Sequence, residues 1–161
     1  MTDPRISEYE KRHQFRLLGF LGSGPGQDGF VRVSSRATAV KFFDRADRFS
    51  REVEIYNIIR DKGIRQIEGH AIPAVRGVDY ELHAIEMTIV QPPFLLDFAG
   101  AKLPEEVPDF EEHVLDEHID RIRELFEDRW ADALHVAEMF RQATGFILLD
   151  IHPGNIAFGA T

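Results

Sequence analysis

The sequence predicts an α+β fold in which a strand-rich first half is followed by helices. Three observations carry this. Between residues 15 and 43, three short apolar runs rich in β-branched and aromatic residues are separated by glycine- and serine-rich turns, as in antiparallel strands. A single helical stretch then precedes two more alternating runs that end near residue 90. Beyond residue 109 the apolar residues recur at helical spacing in two acid-rich segments.

Composition narrows the class. A chain of 161 residues with 43% hydrophobic and 29% charged residues is expected to form one domain with a real core. The formal charge of −9 argues against a partner such as nucleic acid, whose backbone attracts basic proteins. There are no cysteines, which excludes disulfides and thiolate metal sites and fits a cytoplasmic location. Met1 to Arg5 begin no apolar run, so no signal peptide is expected, and no stretch approaches the length of a membrane span.

Taken in order, residues 1–13 are polar and read as a loose lead-in. Phe15 to Leu21 reads as a strand. A glycine run follows, within which Gly24, Gly26 and Gly29 precede Val31 in the pattern Gly-x-Gly-x-x-Gly-x-Val. Glycines let a backbone approach phosphate oxygens closely. The same spacing occurs in dinucleotide-binding domains, but there a helix must follow. Here Phe30 to Val33 alternates like a strand. A glycine-rich hairpin with no ligand is the alternative.

Ala37 to Phe43 is the third strand and carries Lys41 among apolar neighbours. Ala46 to Lys62 reads as a helix ended by Gly63, with Phe49, Val53, Ile55, Tyr56 and Ile59 on its apolar side. At about 100° per residue, Glu52 falls near the middle of that side and Glu54 away from it. An acid on a buried face needs a partner, and Lys41 is the natural one.

Residues 72–80 and 82–90 are the fourth and fifth strands. Gln91-Pro92-Pro93 and the segment Phe94 to Phe98 then cross toward the helices. The segment 109–128 places Phe110, Val114, Ile119, Ile122, Leu125 and Phe126 on an apolar side, with an acidic outer face that reads as solvated. His113 and His118 do not share a helical face and are not read as paired ligands. Residues 130–142 form the last helix, with Trp130, Leu134, Ala137 and Met139 or Phe140 inward.

The chain then reaches Asp150-Ile151-His152-Pro153-Gly154-Asn155, which reads as a tight loop between the apolar runs Phe146 to Leu149 and Ile156-Ala157. An Asp followed five residues later by Asn offers a carboxylate that accepts a hydroxyl proton and an amide oxygen that binds a hard cation. The same residues are also good turn chemistry. The order glycine loop, Ala-Val-Lys, helical Glu, Asp-x₄-Asn resembles the protein-kinase-like superfamily. The wording Asp-x-His-Pro-Gly-Asn looks most like its small-molecule branch, the aminoglycoside and choline kinase relatives.

The resemblance implies a single kinase-like domain. Its N-lobe, about 14–90, would be a five-stranded antiparallel sheet plus helix C, and a partial helical C-lobe would occupy about 91–161. It implies ATP and Mg²⁺ as cofactors. Gly24, Gly26, Gly29 and Val31 would cover the nucleotide, and Lys41 would hold its phosphates. Glu52 would position Lys41, although a spacing of eleven residues is short for the family and leaves Glu54 open. Met87 would back the adenine pocket, with the Thr88 carbonyl and Val90 amide pairing with the base. Asp150 would orient the acceptor hydroxyl, His152 would touch the γ-phosphate, and Asn155 would bind the metal.

Against the pattern, only six residues follow Asn155 and none is acidic, so the second metal-binding Asp of the family is not expected. The expectation is therefore a compact phosphotransferase with an unknown hydroxyl acceptor, or an inactive pseudokinase that binds nucleotide or a protein partner. A purely structural domain is a further alternative. The shortened helical half predicts uncovered apolar helix faces and, from them, a homo-oligomer or a longer parent chain.

Overall fold

A computed structural model describes residues 2–22 and 28–160. Gly24 and Gly26 lie outside the described residues. The first element is a helix, α1 (Pro4–His13), where the sequence reading expected a loose lead-in. Local chemistry explains it. The Asp3 carboxylate accepts from the Arg5 N–H at 2.9 Å, Pro4 opens the first turn, and Lys11, Arg12 and His13 sit at the negative end of the helix dipole.

The main sheet comprises β1 (Leu17–Gly22), β2 (Phe30–Ser34), β3 (Thr38–Phe42), β6 (Val75–Asp79) and β7 (Ala84–Thr88). Its order is β1-β2-β3-β7-β6, antiparallel throughout. Between β3 and β6 come α2 (Ala46–Asp61) and two short strands, β4 (Gln66–Ile67) and β5 (His70–Ala71). The five-stranded antiparallel sheet with helices is thus the architecture that strand alternation predicts.

The sheet's two faces are covered differently. Val40, Phe42 and Ala84 pack with Ile6 and Tyr9 of α1 and with Phe15 and Leu17. Ala39, Ile85 and Met87 face the other way, toward α2 and the larger core. Side chains alternate along a strand, so β3 serves both layers.

After β7 the chain forms β8 (Phe94–Leu95), a short strand within the segment that crosses toward the helices. β8 runs parallel to β5 and antiparallel to β9 (Ile156–Ala157), which completes a second sheet of order β4-β5-β8-β9. The expected strand over Phe146 to Leu149 is reduced to a single bridge between Ile147 and Lys102. The helices α3 (Glu112–Phe126) and α4 (Trp130–Thr144) pack together beneath α2 and β4.

The apolar cover of α4 differs from the expectation. Ala133, Val136 and Phe140 are buried, so α4 is closed in by the chain itself. In the helical half, exposed apolar residues are on and beside α3 instead: Phe110, Val114, Leu115 and Leu125 face solvent, while Ile122 and Phe126 are buried. No helix is long and apolar enough to cross a membrane among the described residues.

Candidate functional site

A cleft of about 1080 Å³ opens between the two sheets. Its upper wall is made by Gly29 and Val31 of the glycine loop and β2, with Ala39 of β3 behind them. Met87, Thr88 and Val90 line its back edge, and Asp150 and His152 line its lower rim. The Val90 N–H donates to no other group among the described residues, so a donor is left for a ligand at that edge.

Gly29 is demanded by the backbone. Its φ is +81°, and a Cβ there would lie 1.7 Å from the Phe42 carbonyl oxygen. This close crossing seats the end of the glycine loop against β3. Asp28, just before it, accepts hydrogen bonds from the Asp44 and Arg45 N–H groups at 3.0 and 3.1 Å. The loop is therefore tied to the entry of α2.

At the centre of the cleft lies Lys41. Its register opposite Ile85 turns it toward α2, as alternation requires. Its Nζ donates to Glu52 Oε2 at 2.7 Å and to Asp97 Oδ1 at 3.1 Å. Glu52 is buried on the apolar side of α2, whereas Glu54 is exposed and faces Arg51 at 3.6 Å. Burial works against the charge on Lys41, but the Glu52 and Asp97 carboxylates outweigh it and hold its pKa above the ordinary lysine value. Burial pushes the Glu52 carboxyl up more than Lys41 draws it down, and Asp97 adds to the rise. One ammonium is thus shared by two carboxylates, a centre with an excess of negative charge.

Asp97 is the residue that sequence reading missed. It has a φ of +69°, in the left-handed region, and lies two residues beyond the end of β8. Phe98 fixes it there: fully buried, its ring stacks on Phe140 of α4 at 4.9 Å and tilts against Tyr56 of α2 at 5.3 Å. The signal was present as Asp97-Phe98-x-Gly100 behind an apolar run. The family pattern places the second acid after Asn155, whereas this one precedes the Asp150 loop.

The sheet brings these two segments together. Leu95 pairs with Ile156, and the Leu96 N–H donates to the Asn155 carbonyl at 3.0 Å. Asn155 is buried, and its Nδ2 donates to the Asp150 carbonyl at 2.9 Å, which closes the loop. Asn155 Oδ1 accepts from no donor among the described residues.

The Asp150 side chain is 72% exposed and lies 3.5 Å from His152 Nε2. His152 Nδ1 accepts from the Gly154 N–H at 3.0 Å, so the neutral ring carries its proton on Nε2, the nitrogen facing Asp150. A Cβ on Gly154 would come within 2.7 Å of that ring, so glycine lets the imidazole fold over the turn.

The structure thus brings Lys41, Glu52 and Asp97 into direct contact. Asp150 and His152 line the same cleft, and Asn155 sits buried beneath the loop. No group of three or more His, Cys, Asp or Glu that could hold a metal by itself occurs among the described residues.

No family model matches the chain, and no curated protein matches it. Among solved structures, the chain is similar to the streptomycin–ATP–APH(2")-IIa ternary complex. That likeness has 20% sequence identity and a TM-score of 0.42, and it covers 79% of this chain. The chain spans 40% of the length of that protein.

Proposed function

We propose that the cleft binds ATP with Mg²⁺ and that the protein transfers the γ-phosphoryl group to a hydroxyl acceptor. The observation that supports this best is Lys41 held between Glu52 and Asp97 on the cleft wall. A lysine that is charged, half-buried and positioned by a helix carboxylate is a phosphate-binding group with its orientation already fixed.

The donor set fits a hard divalent cation. Mg²⁺ takes oxygen ligands and is usually held by one or two carboxylates together with substrate phosphates. Asp97 offers a carboxylate, and Asn155 offers an amide oxygen with no donor of its own among the described residues. When bound, the metal would neutralise charge on the phosphates during transfer.

The remaining groups have consistent roles in this reading. Met87 and the Val90 N–H would receive the base at the back edge of the cleft. Asp150, exposed on the lower rim, would accept the acceptor's hydroxyl proton. The Nε2–H of His152 would donate to a phosphate oxygen.

An inactive nucleotide-binding module is the second reading, favoured by the exposure of Asp150, which among the described residues has no positioning partner other than His152 at 3.5 Å. Melting temperature measured against ATP, with and without Mg²⁺, tests both, because a ligand of the native state raises stability by mass action. A rise that requires Mg²⁺ is the expected result. No rise at millimolar ATP under either condition overturns both readings. Release of ADP on addition of a hydroxyl compound separates the transferase from the inert module.

A further inference from the structure

The charged groups that line the cleft are not all accounted for. Lys41 is satisfied by Glu52 and Asp97. Asp28 is occupied by backbone N–H groups at the start of α2. Arg48 and Lys102 also line the cleft, and the side chain of neither makes a hydrogen bond or ion pair among the described residues.

Arg48 lies one turn before Glu52, so the two project from the same side of α2. Its guanidinium packs against the turn that follows Asp97, with Nη1 3.6 Å from where a Cβ on Gly100 would be. Lys102 is two residues further on, anchored through its backbone to Ile147 at 2.7 and 3.0 Å. Glu106, one of the two acids that follow Lys102, is already bound by Arg51 at 2.7 and 2.8 Å. Both cations therefore belong to the Asp97 end of the cleft, away from the Met87–Val90 edge.

In a chain with 28 acids and 19 bases, carboxylate partners are plentiful. Arg48, half-buried, and Lys102, exposed, therefore keep their charges open to a ligand in the cleft rather than spent on an ion pair. Guanidinium presents a planar fork that matches carboxylate and phosphate oxygens.

We propose that Arg48 and Lys102 form an anion-recognition subsite, and that the acceptor is a small compound carrying both a hydroxyl and an anionic group, a carboxylate or a phosphate. The anion would sit between the two cations and present the hydroxyl toward Asp150. The acceptor assignment rests on the phosphotransferase reading, while the anion subsite stands on its own residues.

The test begins without nucleotide. Binding to the full-length chain is measured by calorimetry for glycerate and glycerol 2-phosphate, with glycerol and choline as neutral and cationic controls. The anionic compounds are expected to bind and the controls not to. R48Q and K102Q should each weaken the anionic compounds about tenfold, the worth of one charge-assisted hydrogen bond. Neither side chain supports a neighbour, so both variants should melt as the parent does.

The same titration is then run on protein saturated with ADP and Mg²⁺. ADP affinity should be unchanged in both variants, and the discrimination among compounds should persist. Equal binding of glycerol and glycerate overturns the subsite. Loss of ATP affinity in R48Q with anion binding intact assigns Arg48 to the nucleotide and overturns the acceptor claim. Failure of ADP to bind, with anion binding retained and sensitive to Arg48, overturns the transferase reading and leaves the subsite standing.

Discussion

The two faces of β3 differ sharply, although they come from alternate residues of one five-residue strand. On one face, Val40 and Phe42 are wholly buried beneath α1. On the other, Lys41 is held in a charged trio at the wall of a wide cleft. The first face has no charge to satisfy and is held by packing. The second carries two carboxylates and one ammonium, an arrangement that costs desolvation and is retained for what it can bind. A strand sealed on one side can present strained chemistry on the other without losing its place in the sheet.

Substitutions on the two faces should therefore separate stability from ligand binding. The largest expected effect is on the sealed face. Phe42→Ala should cost about 3–5 kcal/mol by denaturant unfolding, since it empties a fully buried ring site among Tyr9 and Phe30. A loss below about 1 kcal/mol would mean that α1 collapses into the gap and that this face is not the structural one.

Asp79 anchors α1 to the sheet. It accepts from His13 Nε2 at 2.8 Å, from Arg12 at 3.2 Å and from the Leu82 N–H at 3.0 Å. Burial pushes its carboxyl up, but these partners outweigh that and hold its pKa below the ordinary aspartate value. Its contribution is present above the unfolded pKa and is lost as pH falls through the lower folded one. Asp79→Asn should cost about 2–3 kcal/mol at neutral pH, and the gap from the parent should close below about pH 4. Parallel pH profiles of the two proteins would place the acid response elsewhere.

On the cleft face the same kind of change should matter less for folding. Glu52→Gln leaves Asp97 to pair with Lys41, so the cost should be about 1–3 kcal/mol, less than breaking an isolated buried pair. Its effect on nucleotide affinity should be larger in proportion, because Lys41 loses its positioning partner. Glu54→Gln, at the exposed site, should fall within about 0.5 kcal/mol of the parent. Equal losses for the two would show that α2 is not oriented by its apolar stripe.

Much of this arrangement is readable from the chain, and the parts that are not have physical causes. Period-two alternation locates β2, β3 and β7, and helical periodicity turns Glu52 rather than Glu54 to the sheet, because burial imposes both patterns. α1 was not read because only Ile6 and Tyr9 of its ten residues are buried, too thin a stripe to register. Its cap, Asp3-Pro4, was the better signal. The apolar side assigned to α3 is too wide: only Ile122 and Phe126 of it are buried. Asp97 escaped because sequence order does not say which strands will pair. β8 and β9 are about sixty residues apart in the chain yet adjacent in the sheet, and their register alone brings Asp97 toward Asn155.

Whether Asp97 and Lys41 act together on a metal-bound nucleotide is read by calorimetric titration of ATP into the parent and Asp97→Asn, with and without Mg²⁺. In the parent, Mg²⁺ should tighten ATP binding by about tenfold or more, the worth of a carboxylate ligand exchanged from ammonium to metal. In Asp97→Asn the metal dependence should vanish, and metal-free ATP should bind at least as well as to the parent because Lys41 is released from one carboxylate. An unchanged Mg²⁺ dependence in Asp97→Asn, or no binding of ATP to the parent with Mg²⁺ present, would contradict the account.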